Sequence, residues 1–309
     1  MNRQIAHARL RNHRLSGRGD EQNAEELVRW FGAVQAQEYG HARWGLGLRL
    51  HGRGSDADVR RAVDEGRIVR THVMRPTWHF VARADIRWLL DLTAPRVQQR
   101  LAVYIRRSGL TGAIAARALR VVERCLSGGR SMTRLELGDE LSRARLALKG
   151  LPLYLFIIHA ELERVLCSGS YRAKQLTYAL FADRVPMSTS RSVSRDEALA
   201  ELTRRFFRSH GPATVRDAVW WSGLKTADIV RGLDMIGAVK QTAGGLAYWT
   251  ADGAPPGRMR RAAAHLLPIY DEYVVAYRDR EAVPHGPGAS GCLQDLLPQR
   301  HDLVRSVRL

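Results

Sequence analysis

Gln35, Ala36 and Gln37 place two uncharged amides at i and i+2, directly after the apolar stripe Leu27, Trp30, Phe31 and Val34. An amide offers one carbonyl acceptor and two N–H donors, so a converging pair can hold and orient a water molecule without adding charge. On a helix these positions sit about 200° apart, whereas on an extended chain both point to one side and Ala36 to the other. Convergence therefore requires the helix to end near Val34, where the stripe does stop. The competing reading is that amides just past a helix serve as C-caps or as solvated polar residues. Asp271 and Glu272 are the second pair able to do chemistry, because adjacent carboxylates invite a general base. In so basic a chain, helix capping or a tether to Arg278 and Arg280 is the simpler role.

The elements that must position Gln35 start at Asn23, an N-cap with Glu26 three residues on, followed by the i, i+3, i+4, i+7 spacing of a helix. A weaker helical pattern covers 41 to 50, interrupted by Gly45 and Gly47. Ser55-Asp56-Ala57-Asp58 then caps a helix that ends at Gly66. Two β-rich runs follow, IVRTHVM at 68 to 74 and WHFV at 78 to 81, parted by Arg75-Pro76-Thr77. Three helices and a hairpin are the outline of a winged helix.

The outline recurs twice. A periodic helix precedes Gly128-Gly129, Thr133-Arg134-Leu135-Glu136 supplies a capping box, a helix spans 151 to 166, and GSYRAKQLTYAL reads as a hairpin with cations near its tip. In the third copy a helix at 196 to 209 ends at Gly211-Pro212, Thr214 to Asp217 caps the next, Gly223 breaks it, and Thr226 opens a helix through Ile236. VKQTAGGLAYWT then gives two strands around Gly244-Gly245, a hairpin turn. The predicted fold is mainly α with small β-hairpins (α+β), built from tandem winged helix-turn-helix motifs. The segments are a first winged helix at 1–83, a helical connector at 84–111, winged helices at 112–190 and 191–255, and an irregular C-terminal segment at 256–309.

Forty-nine Lys and Arg against 31 Asp and Glu give the 309-residue chain a net charge of +18, a field that favours a polyanionic partner. A GC-rich genome explains the preference for Arg over Lys but not the excess of base over acid. The expected partner is double-stranded DNA. No apolar run reaches the length of a membrane span and the N-terminus has no signal-peptide pattern, so the protein is expected in the cytoplasm, associated with the nucleoid. Cys125, Cys167 and Cys292 are far apart, with no second ligand at metal spacing, and are read as reduced thiols. No metal and no cofactor are expected, and the expected oligomeric state is monomer. Alternation along RTHVMRPTWHFV sets His72 and Met74 on one face and Thr71 and Val73 on the other, so Arg70, Arg75 and His79 are candidates to reach phosphates from the first hairpin. Arg172 and Lys174 are candidates at the second, against a role for His79 as a structural histidine and for the others as a solvated loop.

The stretches AVQAQEYGHARWGL, IVRTHVMRPTWHFVARADIRWLL, HAELERVLCSGSYRAKQLTYAL, HGPATVRDAVWWSGL and LLPIYDEYVVAYRDR together resemble the winged-helix family that includes the AlkZ-like and YcaQ-like bacterial DNA glycosylases. The resemblance spans roughly residues 1 to 280. It implies a tandem winged-helix scaffold that holds duplex DNA in a basic channel and excises alkylated purines; Arg43 is a further candidate DNA contact. The family's catalytic motif, a glutamine, one apolar residue, then glutamine or aspartate, falls on Gln35, Ala36 and Gln37 here. The two-glutamine form resembles the branch that acts on bulky N7-alkylguanine adducts and interstrand crosslinks in repair or self-resistance. From Glu281 onward the chain departs from the family's ending.

This resemblance gives the two amides a rationale. An N7-alkylated purine leaves as an already cationic base, so little general acid is needed, and what remains is to position water against an oxocarbenium-like sugar. The expected enzyme is a monofunctional DNA glycosylase. The alternative is a non-catalytic winged-helix DNA-binding protein or regulator, and a protein scaffold is a third reading.

Overall fold

One order of elements occurs three times in the computed structural model, which describes residues 2–17, 19–187, 193–251, 265–278 and 280. After α1 (Asn2–Asn12), the first copy runs α2 (Ala24–Phe31), β1 (Val34–Gln35), α3 (Tyr39–Arg49), α4 (Asp56–Asp64), β2 (Ile68–His72) and β3 (Trp78–Ala82). A long helix, α5 (Ile86–Arg107), leads to the second: α6 (Gly112–Leu126), β4 (Met132–Thr133), α7 (Arg134–Arg143), α8 (Leu151–Leu162), β5 (Leu166–Arg172), β6 (Gln175–Leu180) and the short α9 (Phe181–Arg184). The third is α10 (Arg195–Ser209), α11 (Val215–Ser222), α12 (Thr226–Ile236), β7 (Val239–Ala243) and β8 (Leu246–Thr250), after which α13 (Glu272–Val275) follows.

Sheet topology repeats with the helices. The strand orders are β1-β3-β2 and β4-β6-β5, and in the third copy Ala213, between α10 and α11, bridges to Trp249 on β8 beside β7. In each copy a short segment between the first and second helices pairs with the returning strand of the hairpin, the connectivity of a winged helix. The first and third copies fall in one compact unit and the second in another.

Local chemistry places the helix starts. Asn23 accepts from the Glu26 N–H, and reciprocal capping boxes join Ser55 to Asp58, Thr133 to Glu136, Ser194 to Glu197 and Thr214 to Asp217. Each satisfies orphan N–H groups and contributes about 1 kcal/mol. Gly244 and Gly245 take φ of 57° and 76° at the tip of the third hairpin, the positive values that a two-residue hairpin turn demands.

In the unit holding the first and third copies, Leu27, Phe31, Phe80, Phe206, Trp221 and Tyr277 form part of a closed interior. α1, which the sequence patterns did not predict, lends it Arg9. That side chain is 1% exposed, donates to the Pro212 carbonyl at 2.9 Å, lies over the Tyr277 ring at 3.7 Å and faces Asp217 at 3.6 Å. The second unit closes around Leu126, Leu137, Leu141, Phe156, Ile157 and Leu166.

Two expectations need correction. The alternation along the first hairpin does not separate an inner from an outer face, because every residue of β2 and β3 is buried. Helix α2 stops at Phe31 rather than Val34, at a C-cap Gly32 with φ of 84°, a conformation that glycine adopts without strain. The departure expected from Glu281 onward lies outside the described residues.

Candidate active site

The first copy differs from the other two where its short strand meets the second helix. In the second copy β4 ends on Thr133, which is itself the N-cap of α7, and in the third Thr214 follows Ala213 and caps α11. Both threonines accept the N–H three residues on. In the first copy Ala36, Gln37 and Glu38 intervene between β1 and α3, and the N-cap Glu38 makes no side-chain capping bond. A stabilising device present twice is replaced by Gln-Ala-Gln, and departures of this kind from local consistency concentrate at functional sites.

The backbone through these residues leaves β1 at Gln35, bends at Gln37 and is pinned by hydrogen bonds from several sides. Gln35 pairs with His79 on β3. Its N–H donates to Glu272 Oε2 at 2.9 Å, and the Ala36 N–H donates to the Trp78 carbonyl at 2.7 Å. Arg70 secures the other side, its Nε donating to the Ala36 carbonyl at 2.8 Å and Nη2 to that of Gln37 at 3.1 Å. The Gln35 side chain is 9% exposed. Gln37 is half-buried, and its carbonyl Oε1 is enclosed with no hydrogen-bond partner among the described residues. That acceptor is unspent, and a buried amide oxygen is costly to leave unpaired.

Glu272 anchors the arrangement from α13. It is 2% exposed and receives, besides Gln35, the Trp221 indole N–H at 2.5 Å and His210 Nε2 at 3.3 Å. Burial alone would raise its pKa. The hydrogen bond from His210, the Gln35 N–H and the charge of Arg75 outweigh burial and hold it at about 2, so a carboxylate lies directly behind Gln35 at neutral pH. Burial disfavours protonation of His210 itself. Gln35, Glu38, His41, Tyr270 and Glu272 border a cavity of about 10 Å³, room for one water.

Asp271 caps α13 through the Tyr273 N–H at 2.9 Å, as the capping reading expected. The tether it makes is to a different arginine, Arg49 on α3, whose Nη1 and Nη2 donate at 2.8 and 2.7 Å. Arg278 instead gives its backbone N–H to Asp217, and Arg280 its Nε to the Val274 carbonyl. The pair Asp271 and Glu272 therefore joins the end of the third copy to both sides of the Gln-Ala-Gln segment. Sequence reading noticed these carboxylates but had no signal for partners more than 200 positions away.

The expected DNA contacts divide. Arg70 is 6% exposed and its guanidinium is turned to the Ala36 and Gln37 carbonyls. His79 is fully enclosed on β3. Burial first, and then the charge of Arg75, lower its pKa to about 3, leaving a neutral imidazole. Arg75 is half-buried, and its charge acts on both Glu272 and His79. Arg43 lies over Tyr39 at 4.9 Å and bonds Asp56 at 3.1 Å, its side chain 17% exposed. At the second hairpin, Ala173 and Lys174 form a turn with φ of 47° and 62°. Lys174 is exposed, while Arg172 is ion-paired to Glu136.

Among the described residues no cluster of His, Cys, Asp and Glu could hold a metal ion, and no helix is long and apolar enough to cross a membrane. No curated protein matches the sequence. The solved structure of the Streptomyces sahachiroi DNA glycosylase AlkZ is similar, with a TM-score of 0.66, 22% identity, and coverage of 82% of this chain and 72% of that one. At that identity the likeness speaks for the fold. The sequence profile of the AlkZ-like DNA glycosylases matches residues 28–287, and by this match the chain belongs to the AlkZ-like DNA glycosylase family.

Proposed function

We propose that this DNA glycosylase acts on N7-alkylated purines in duplex DNA, bulky adducts and crosslinks included, with Gln35 and Gln37 directing water at the sugar. Water attacks C1′ as the C1′–N9 bond breaks. The bonding pair returns to the purine and neutralises its cationic ring, and the proton of the water passes to solvent. The products are the free alkylpurine and an abasic site. Gln37 accepts a hydrogen bond from the attacking water, and Gln35 orients that water or contacts the sugar and phosphate. Because the leaving base already carries positive charge, neutral amides suffice. Exposed Lys174, with Arg172, Arg75 and Arg43 once their present partners yield, supplies phosphate contacts for a monomer on DNA.

The observation that carries this reading is the enclosed, unpartnered Gln37 Oε1 on backbone that Arg70, Trp78 and Glu272 hold in place. The test is release of 7-methylguanine from methylated duplex DNA by the wild type, Gln35→Ala and Gln37→Ala. Loss of about 10²- to 10³-fold in single-turnover rate for each variant, with DNA affinity retained, is the expected outcome. Release by both variants at the wild-type rate would remove the glutamines from the chemistry. Tight DNA binding without release of any N7 adduct would favour a binding protein.

A further inference from the structure

Six of the seven tryptophans are engaged. Trp30 donates to the Asn12 carbonyl, Trp88 to Asp85, Trp220 to the Val275 carbonyl and Trp221 to Glu272. Trp78 lies under Arg70 and Trp249 under Lys240. Trp44 is the exception. It is 51% exposed and makes no hydrogen bond or ring contact among the described residues, so part of its ring surface and the indole N–H are spare.

Its position is informative. Helix α3 starts directly after the Gln-Ala-Gln segment, and Trp44 stands six residues beyond the N-cap Glu38, about 9 Å along the axis. Within α3, positions 40, 41 and 44 share one side at i, i+1 and i+4 spacing. Between Gln37 and Trp44 that side carries Gly40 and His41, both exposed. A Cβ added at Gly40 would meet nothing within 4 Å, so the helix surface on the N-terminal side of the indole is an open shelf. α3 itself holds no acidic residue, its two arginines are ion-paired to Asp56 and Asp271, and the chain as a whole carries a net charge of +18. A partner that is anionic along its backbone yet offers flat apolar faces fits this shelf.

We infer that Trp44 is a stacking platform for a nucleobase close to the reacting nucleotide, exposed by the opening of the duplex around the lesion. This rests on the DNA-binding part of the function proposed above, but not on the glutamines being catalytic. An indole accepts the π-face of any base, so the contact adds affinity for an unstacked base without choosing its identity.

The test measures binding of Trp44→Ala and Trp44→Phe to duplex DNA carrying an abasic-site analogue, by fluorescence anisotropy across a salt series. Trp44→Ala weakens binding about 5- to 100-fold and leaves the slope of log K against log salt unchanged, because stacking releases no counterions. Trp44→Phe recovers most of the loss, and the quenching of tryptophan emission by DNA in the wild type is diminished in Trp44→Phe. Equal affinity for wild type and Trp44→Ala overturns the inference. So does a self-association, seen by sedimentation, that Trp44→Ala abolishes while DNA affinity stays put, since the indole would then serve a second copy. Neither result bears on whether Gln35 and Gln37 release base.

Discussion

Gln35 and Glu272, 237 positions apart in the chain, meet through a 2.9 Å hydrogen bond from the Gln35 backbone N–H to the buried carboxylate. The same carboxylate takes the Trp221 and His210 donors, so replacing it with an amide turns an NH₂ toward groups that already donate. Glu272→Gln is expected to cost about 3 kcal/mol of stability and to lower the glycosylase rate more than any loss of folded protein explains. Urea unfolding followed by rate measurement at a temperature where the variant is fully folded separates the two. A normal rate in folded Glu272→Gln would mean that Gln35 keeps its place without this support.

Arg49 and Asp271 form a bidentate pair whose side chains are both 2% exposed. Removing one partner leaves a buried charge uncompensated, which costs about 3 to 5 kcal/mol, whereas removing both is cheaper than the sum. A double-mutant cycle with Arg49→Met and Asp271→Asn should therefore give a coupling energy above about 1 kcal/mol in urea denaturation. Additive effects would show the pair contributing no more than a solvated contact.

The repeats were legible in the sequence because their signals are local. Asn23, Ser55, Thr133 and Thr214 announce helix starts within three residues, and Gly244-Gly245 announces a turn. The glutamine pair was legible as a departure from helical spacing, although the helix stops three residues earlier than the apolar stripe, since Val34 is buried by strand pairing and not by a helix face. What was not legible depends on distant partners. Arg70 reads as a free cation on an alternating strand until Ala36 and Gln37 supply the carbonyls that consume it. Glu272 reads as a local cap or tether until β1 returns beside α13. Charge and periodicity cannot report which buried donor meets which acceptor.

Acid should unfold the protein progressively from a high threshold. Burial lowers the pKa of His13 and His210, and that of His79 to about 3. A folded value below the unfolded 6.5 means that the unfolded chain binds more protons, so the histidine contribution is complete above pH 6.5 and is lost as pH falls. Glu272, lowered from 4.5 to about 2, acts in the same direction at lower pH, its contribution present above 4.5 and lost toward 2. The melting temperature should hold between pH 8 and 6.5 and then fall by roughly 10 °C by pH 4.5. A melting temperature constant to pH 4.5 would show that the histidines titrate normally in the folded state.

Arg70 offers a contest between two roles that charge counting cannot separate. If it holds the Ala36 and Gln37 carbonyls during turnover, Arg70→Met misplaces the glutamines and slows base release by about 10²-fold, while the salt dependence of DNA binding is unaltered. If it swings out to a phosphate, the same variant lowers the slope of log K against log salt by about 1. Its enclosure favours the first outcome, and a binding titration at several salt concentrations decides it.

At the second hairpin the two cations should prove unequal. Lys174 sits exposed in the turn and is available to a phosphate, so Lys174→Ala should reduce the salt slope by about 1. Arg172 is neutralised by Glu136, whose carboxylate also accepts the Thr133 N–H, so Arg172→Ala should reduce it by less. The ordering has a consequence opposite to simple loss. Glu136→Gln weakens the α7 capping box by about 1 kcal/mol but releases the Arg172 guanidinium, so DNA binding should tighten as stability drops. Tighter binding by Glu136→Gln that disappears in the double variant with Arg172→Ala would assign the gain to the freed arginine. Weaker binding by Glu136→Gln would instead show that the hairpin must be ordered by this ion pair before it can meet DNA.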